Sequence, residues 1–256
     1  MDDILGQRDH AVRFDWGLPG ALAAGADVCV VVDVLSFSTS VTIAVERGMQ
    51  VFPFAWKDER AASYAARLGA ALAVGRLEAT HEGAVPAPSL SPAGLMVCEP
   101  VPRLVLPSPN GSTISAALQA TGATVLAGCL RNASAVGHHL ARHVDDGRSV
   151  AVIAAGERWH HDDSLRPALE DHLGAGAVLS ALVRIGHGAD LSPEARAAVA
   201  LWDATADQLP STLHACVGGR ELAAKGFSAD VDVAGELDTS DVVTVLDNGA
   251  FTRARP

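Results

Sequence analysis

Residues 28–40 read VCVVVDVLSFSTS, and this stretch decides the fold. Its first five residues, 28–32, are continuously apolar and mostly β-branched, the composition of a strand covered on both faces. Asp33 ends the run, and a serine- and threonine-rich turn leads into a helix expected over 38–47, closed by Gly48. A strand that feeds a helix is one β-α step, and parallel strands need such crossovers to become neighbours.

The same step recurs outward along the chain. A strand is expected near Val51, a helix capped by Asp58 and running to Leu68, and short strands over 71–74 and 104–106. Then come a helix over 113–120, a strand over 124–127, a helix over 133–143 and a strand over 150–154. From 165 to 209 the pattern is helical, broken at 186–188 and restarted with Ser192 as cap and Pro193 in the first turn. A helix over 213–225, a strand near 231–233 and a last strand over 242–246 follow. Segment 78–94, with five prolines and glycines, reads as the one long loop. The expected class is α/β: three α/β/α layers on a mostly parallel or mixed sheet, with a helical excursion in the C-terminal half. One domain is the default for 256 residues, and a two-lobed organisation with a boundary near 145–150 is the alternative.

Composition narrows the function classes. Hydrophobic residues make up 49% and aromatic ones 4%, so the core is built from Ala, Val and Leu. A formal charge of −11 with no cluster of Lys and Arg argues against nucleic acid, and an anionic substrate then needs a local cation. Cys29, Cys98, Cys129 and Cys216 are scattered and read as reduced structural thiols. The acidic start and the lack of a long apolar run predict a cytoplasmic protein without a membrane partner.

Ligands of open α/β sheets sit beyond the carboxyl ends of strands, so the residues after each strand matter most. After the first comes Asp33, then Ser36, Ser38, Thr39 and Ser40 at a helix N-terminus: either an anion cradle or a cap with a buried Asp. After 104–106 comes SPNGST, where Asn110, Gly111 and Ser112 form either an anion-binding bend or a plain turn. After 124–127 comes GCLRNAS, in which Arg131 is a candidate cation beside Asn132, or a surface Arg beside a cap. After 150–154 the chain carries Glu157, His160, His161, Asp162, Asp163, Glu170, Asp171 and His172. Adjacent helical positions point about 100° apart, so either Glu170 or Asp171 can face the sheet edge. Carboxylates such as Asp33, Glu157 and Asp171 suit Mg²⁺; the HHDD run reads as a solvated loop, or else as a hint of zinc. The Ala-rich stretch 195–206 serves either internal packing or a homodimer face.

These passages together resemble the 2-phosphosulfolactate phosphatase family, Mg²⁺-dependent enzymes of coenzyme M biosynthesis. The resemblance is carried by DVLSFSTS at 33–40, SLSP at 89–92, PNGS at 109–112, LRNASA at 130–135, AGE at 155–157, LEDHLGAGA at 169–177 and GRELAAKGF at 219–227. It implies a three-layer α/β fold and hydrolysis of 2-phospho-3-sulfolactate to sulfolactate and phosphate. As a working reading, Asp33 and Asp171 hold Mg²⁺ with Glu170 or Glu157 nearby, so Asp33, Glu157, Glu170 and Asp171 are the candidate catalytic carboxylates. Ser38, Thr39, Asn110, Gly111, Ser112, Arg131 and Asn132 would hold the small anionic substrate. The chain departs from the family at Ser36, usually Arg, and at Val74, Gly75 and Arg76, usually Gly-Gly-Glu. It departs again at Gly218, usually His, and Ala234, usually Cys. A phosphatase for another small phosphoester and a non-catalytic anion-binding protein are the alternatives.

Overall fold

In the computed structural model, which describes residues 2–55, 59–76 and 88–255, the strand over Val28–Val32 (β2) serves two layers at once. Val28, Val30 and Val32 enter one apolar cluster while Cys29 and Val31 enter another on the opposite face. The strand Val150–Ala154 (β7) splits its residues between the same clusters in the same way. Continuous apolar runs are what a strand with two covered faces requires.

Among the described residues a sheet of nine strands forms the middle layer. Strand Val12–Trp16 (β1) pairs in parallel with β7, β7 with β2, and β2 with Thr124–Gly128 (β6). A second parallel block contains Gln50–Phe54 (β3), Ala71–Leu72 (β4) and Arg103–Pro107 (β5). The hairpin Thr244–Asp247 (β10) and Ala250–Arg253 (β11) lies between the blocks, antiparallel to β6 on one side and to β3 on the other. A small separate ribbon pairs Glu157–Arg158 (β8) with Leu165–Arg166 (β9). β7 sits between β1 and β2, so the sheet runs unbroken across residues 145–150.

After a short turn of helix at Asp2–Leu5 (α1), helices Gly17–Ala24 (α2), Phe37–Glu46 (α3) and Gly111–Ala120 (α6) cover one face. Pro92–Val97 (α5) joins them, and Glu59–Leu68 (α4) lies over β5. Ala133–Asp145 (α7), Leu169–Arg184 (α8) and Pro193–Thr205 (α9) pack in series on the other face. The expected restart is present, with Ser192 Oγ accepting the Ala195 amide at 3.1 Å and Pro193 in the first turn. Ala195, Ala198, Val199 and Trp202 of α9 are buried within the chain. All four cysteines are free and buried.

Four readings are corrected. The strand expected near 231–233 is the helix Ser228–Ala234 (α12), because Asp230, Val231 and Ala234 are buried together on one helical face. The single helix expected over 213–225 is two, Leu209–Ala215 (α10) and Val217–Ala224 (α11), parted where the Cys216 backbone turns extended and its Sγ accepts the Gly219 amide. Leu165 and Arg166 belong to β9 rather than to a helix, since α8 starts only after Pro167. The long loop contains α5 at its end, capped by Ser91 Oγ accepting the Gly94 amide; its portion 77–87, like the Asp58 cap, lies outside the described residues. β1, α2 and the strand β11 had no counterpart in the sequence reading.

Candidate active site

Asp33 follows the last residue of β2 and is buried. Its Oδ1 accepts the Phe37 amide at 3.0 Å and its Oδ2 the Gly111 amide at 3.1 Å. Phe37 and Gly111 are the first residues of α3 and α6, so one carboxylate gathers two helix N-termini whose amides have no acceptor inside their own helices. Glycine is required at 111: a Cβ there would stand 2.2 Å from a Phe37 ring carbon and 2.9 Å from Asp33 Oδ2. Ser38 Oγ closes the turn by accepting the Asp33 amide and donating to the Asp33 carbonyl, each at 2.8 Å. Thr39 Oγ1 donates to the Val34 carbonyl and Ser112 Oγ to that of Leu106. The peptide joining Leu35 to Ser36 is cis.

Asp171 joins two strand ends. Its Oδ1 accepts the Val34 amide at 2.7 Å, beyond β2, and its Oδ2 the Gly156 amide at 2.8 Å, beyond β7. Glu170 and Asp171, adjacent in the first turn of α8, are both buried at this edge, where the sequence reading allowed for one of them. Glu170 Oε2 accepts the Cys216 thiol at 3.3 Å. The other carboxylate oxygen lies against Gly218, where a Cβ would come within 2.1 Å of Glu170 Oε1. Glu157, just beyond β7, accepts the Asn110 side-chain amide on Oε2 at 3.0 Å.

Asp33, Glu157, Glu170 and Asp171 therefore share one edge of the sheet, close enough for the charge of Glu170 to act on the other three. Burial pushes Asp171 well above the usual carboxylate range, and the charges of Asp33 and Glu170 add to it. Asp33 is raised by burial as well, with the amides of Phe37 and Gly111 and the charge of Arg76 opposing. Glu157 rises to about 7, chiefly by burial and then by the charge of Asp33. Like charges withdrawn from water favour the protonated form, and a cation placed among them reverses that preference.

The cations expected in this region are engaged elsewhere. Arg131 is buried, ion-paired with Glu236 and hydrogen-bonded to the Val233 carbonyl. Asn132 accepts the Cys129 amide at 2.9 Å and donates to the Val242 carbonyl at 2.9 Å, tying β6 to the chain before β10. His172 stacks on Phe14 at 5.0 Å, and burial lowers its pKa. His160, His161, Asp162 and Asp163 form the exposed turn of the β8–β9 ribbon, the solvated loop expected. Among the described residues no three His, Cys, Asp or Glu side chains converge as a preformed metal site.

Two further cations lie close to the carboxylates: Arg76, which the sequence offered as a replacement positive charge, and Arg158, which it did not single out. Arg76 hydrogen-bonds to Ser36 Oγ and pairs with the buried Asp230 at 3.0 Å. Arg158 donates through Nε to Asn110 Oδ1 at 3.3 Å and lines a cavity of about 250 Å³ that Glu157 and Asn110 share. The only signal for Arg158 was its place immediately after Glu157.

A family model described as 2-phosphosulpholactate phosphatase matches residues 19–249, a span that contains every residue of the carboxylate cluster. A 2-phosphosulfolactate phosphatase of Methanothermobacter thermautotrophicus is 31% identical over 165 residues, which is 62% of this chain and 62% of that protein's length. With the matched span taking in most of the sheet, the carboxylates and the turns that hold them, the chain belongs to the 2-phosphosulpholactate phosphatase family.

Proposed function

We propose that this protein is a Mg²⁺-dependent phosphatase of small phosphorylated hydroxyacids, with 2-phospho-3-sulfolactate as the foremost substrate and 3-sulfolactate and phosphate as products. The observation that carries this reading is the placement of Asp33, Glu157, Glu170 and Asp171 at one edge of the sheet, beyond β2 and β7, with Glu157 lining a cavity. A pathway role in coenzyme M synthesis follows from the family resemblance; among the described residues no helix is long and apolar enough to cross a membrane.

The donor set fits a hard cation. All four groups offer only carboxylate oxygen, and burial raises Asp33, Glu157 and Asp171 even though Arg76 opposes the shift at Asp33 and Arg166 that at Glu157. Asp33 and Asp171 would hold Mg²⁺, with Glu157 and Glu170 adjacent. Bound there, the ion would offset the phosphoryl charge and favour ionisation of a water.

The protein's own groups supply the rest. Asp33 keeps the N-termini of α3 and α6 together, so their positive ends face the same space. The phosphate would lie toward the start of α6, near Asn110, Gly111 and Ser112. Glu157, half protonated near neutral pH, stands at the cavity wall as the proton donor. When water oxygen bonds to phosphorus, the ester oxygen leaves with the bonding electron pair and takes the Glu157 proton. The proton shed by the attacking water then recharges Glu157.

The test is phosphate release with added Mg²⁺ from a panel of phosphorylated acids, in the wild type and in Asp33→Asn and Asp171→Asn. Full rates in both variants would overturn the assignment. One observation favours a second reading: every oxygen of Asp33 and Asp171 already accepts a backbone amide, as in a purely structural strut. A non-catalytic anion-binding protein would show ligand-induced thermal stabilisation with no phosphate released from any ester.

A further inference from the structure

The cavity lies between the start of α2 (Gly17, Leu18), the start of α6 (Asn110, Thr113) and the β8–β9 ribbon (Glu157, Arg158). At about 250 Å³ it falls below the range of about 300–1,000 Å³ typical of drug-sized ligands, so it suits a short acid rather than a nucleotide. Such an acid carries negative charge beyond its phosphate, and the protein carries a net −11. Something must bind that extra anion next to four carboxylates, and Arg158 is the cationic side chain among the residues lining the cavity.

The strengths of the existing pairings favour Arg158 over Arg76 and Arg131. Arg131 is 5% exposed and fastened by Glu236, while Arg76 is held by Asp230, which is 1% exposed. Removing a partner from a buried charge is costly, so neither is free to exchange it. Arg158 pairs with Asp163 at 2.9 Å, but the two side chains are 41% and 77% exposed. An exposed pair contributes only about 0–1 kcal/mol, so a bound anion can replace Asp163 at little cost. The planar guanidinium also suits a carboxylate or sulfonate, which can accept two parallel N–H groups.

Resting on the phosphatase reading, we propose that Arg158 holds the anionic group of the substrate that is not transferred, the sulfonate or carboxylate of a short acid, inside this cavity. Asn110 links the two halves of the site: its Oδ1 accepts from Arg158 and its amide donates to Glu157. Substrate charge at Arg158 is thereby set in register with the proton donor.

Isothermal titration calorimetry with sulfoacetate, a two-carbon acid bearing both groups, tests binding without turnover. Wild type is expected to bind. Arg158→Gln should weaken binding about ten-fold or more and Arg158→Lys less, since lysine keeps the charge and loses the fork. Asp163→Asn, which removes the competing carboxylate, should bind as well as wild type or better. No binding by wild type, unchanged binding by Arg158→Gln, or an equal loss in Asp163→Asn would overturn the proposal, the last because it would assign the effect to the shape of the ribbon. In kinetics, Arg158→Gln should raise the Michaelis constant for phosphosulfolactate about ten-fold more than that for p-nitrophenyl phosphate, with kcat little altered. An equal rise for both esters would mean that Arg158 grips the phosphoryl group and would refute the assignment. If wild type hydrolyses no ester at all, the phosphatase reading fails by itself, and calorimetry still decides the role of Arg158.

Discussion

Glu157 differs from its neighbours in having one carboxylate oxygen on Asn110 and a pKa raised to about 7. A proton donor matters when the departing group is a poor one, so Glu157→Gln should lower kcat for an aliphatic phosphate ester by about 10²–10⁴-fold. The loss should be much smaller for p-nitrophenyl phosphate, whose phenolate leaves without a proton. Comparable losses on both esters, measured by phosphate release, would remove Glu157 from this role. Asp171→Asn tests the neighbouring strut: it turns an amide NH₂ toward one of two backbone N–H groups, those of Val34 and Gly156. Leaving a buried donor unpaired costs about 1–3 kcal/mol, readable as a lower urea midpoint at unchanged m-value. At this scale the sequence reading located the four carboxylates by their places after strands and at the start of α8. It could not show that Arg131 and Asn132 are tied into the fold, because their partners Glu236 and Val242 are distant in sequence.

Helix α11 carries its own test at the element scale. Gly218 faces Glu170 with no room for a Cβ, so Gly218→Ala must displace either the carboxylate or the helix. The expected result is weaker Mg²⁺ binding by calorimetry and reduced turnover, with thermal stability lowered less than by Asp171→Asn. What was legible among the elements follows their burial. β2 and β7 announce themselves because both faces are covered, so that every residue is apolar. β1 does not, since VRFDW alternates with charge and its Arg13 is buried only through the carbonyls of His10 and Ala24. The segment ADVDV alternates like a strand, yet Asp230 takes bonds from Ser91, Ala93 and Arg76 that only the helical α12 presents together. Tertiary partners thus override the local pattern.

The protein as a whole should answer to pH through the same carboxylates. Asp33, Glu157 and Asp171 are all raised, so the folded state keeps protons that the unfolded chain releases. The contribution of Glu157 to stability is complete below the ordinary carboxylate range, about pH 4, and is lost as pH rises through about 7, and Asp33 and Asp171 act in the same direction. Without metal the melting temperature should fall across that window, and saturating Mg²⁺ should restore it most at the alkaline end. A melting temperature indifferent to Mg²⁺ at pH 8 would count against the cluster as a cation site. The hairpin β10–β11 bears on how the molecule assembles. It joins two parallel blocks through strands that follow all the others in chain order, pairing Phe251 with Val51 across roughly 200 residues. Either block can gather its own helices early, but the seam between them closes only after the last strands arrive, which makes it the slowest contact to form on the grounds of chain entropy. Pulse-labelled hydrogen exchange should find the amides of β2 and β7 protected before those of β10, and a polypeptide ending before Thr244 should linger as a collapsed species with an open central edge.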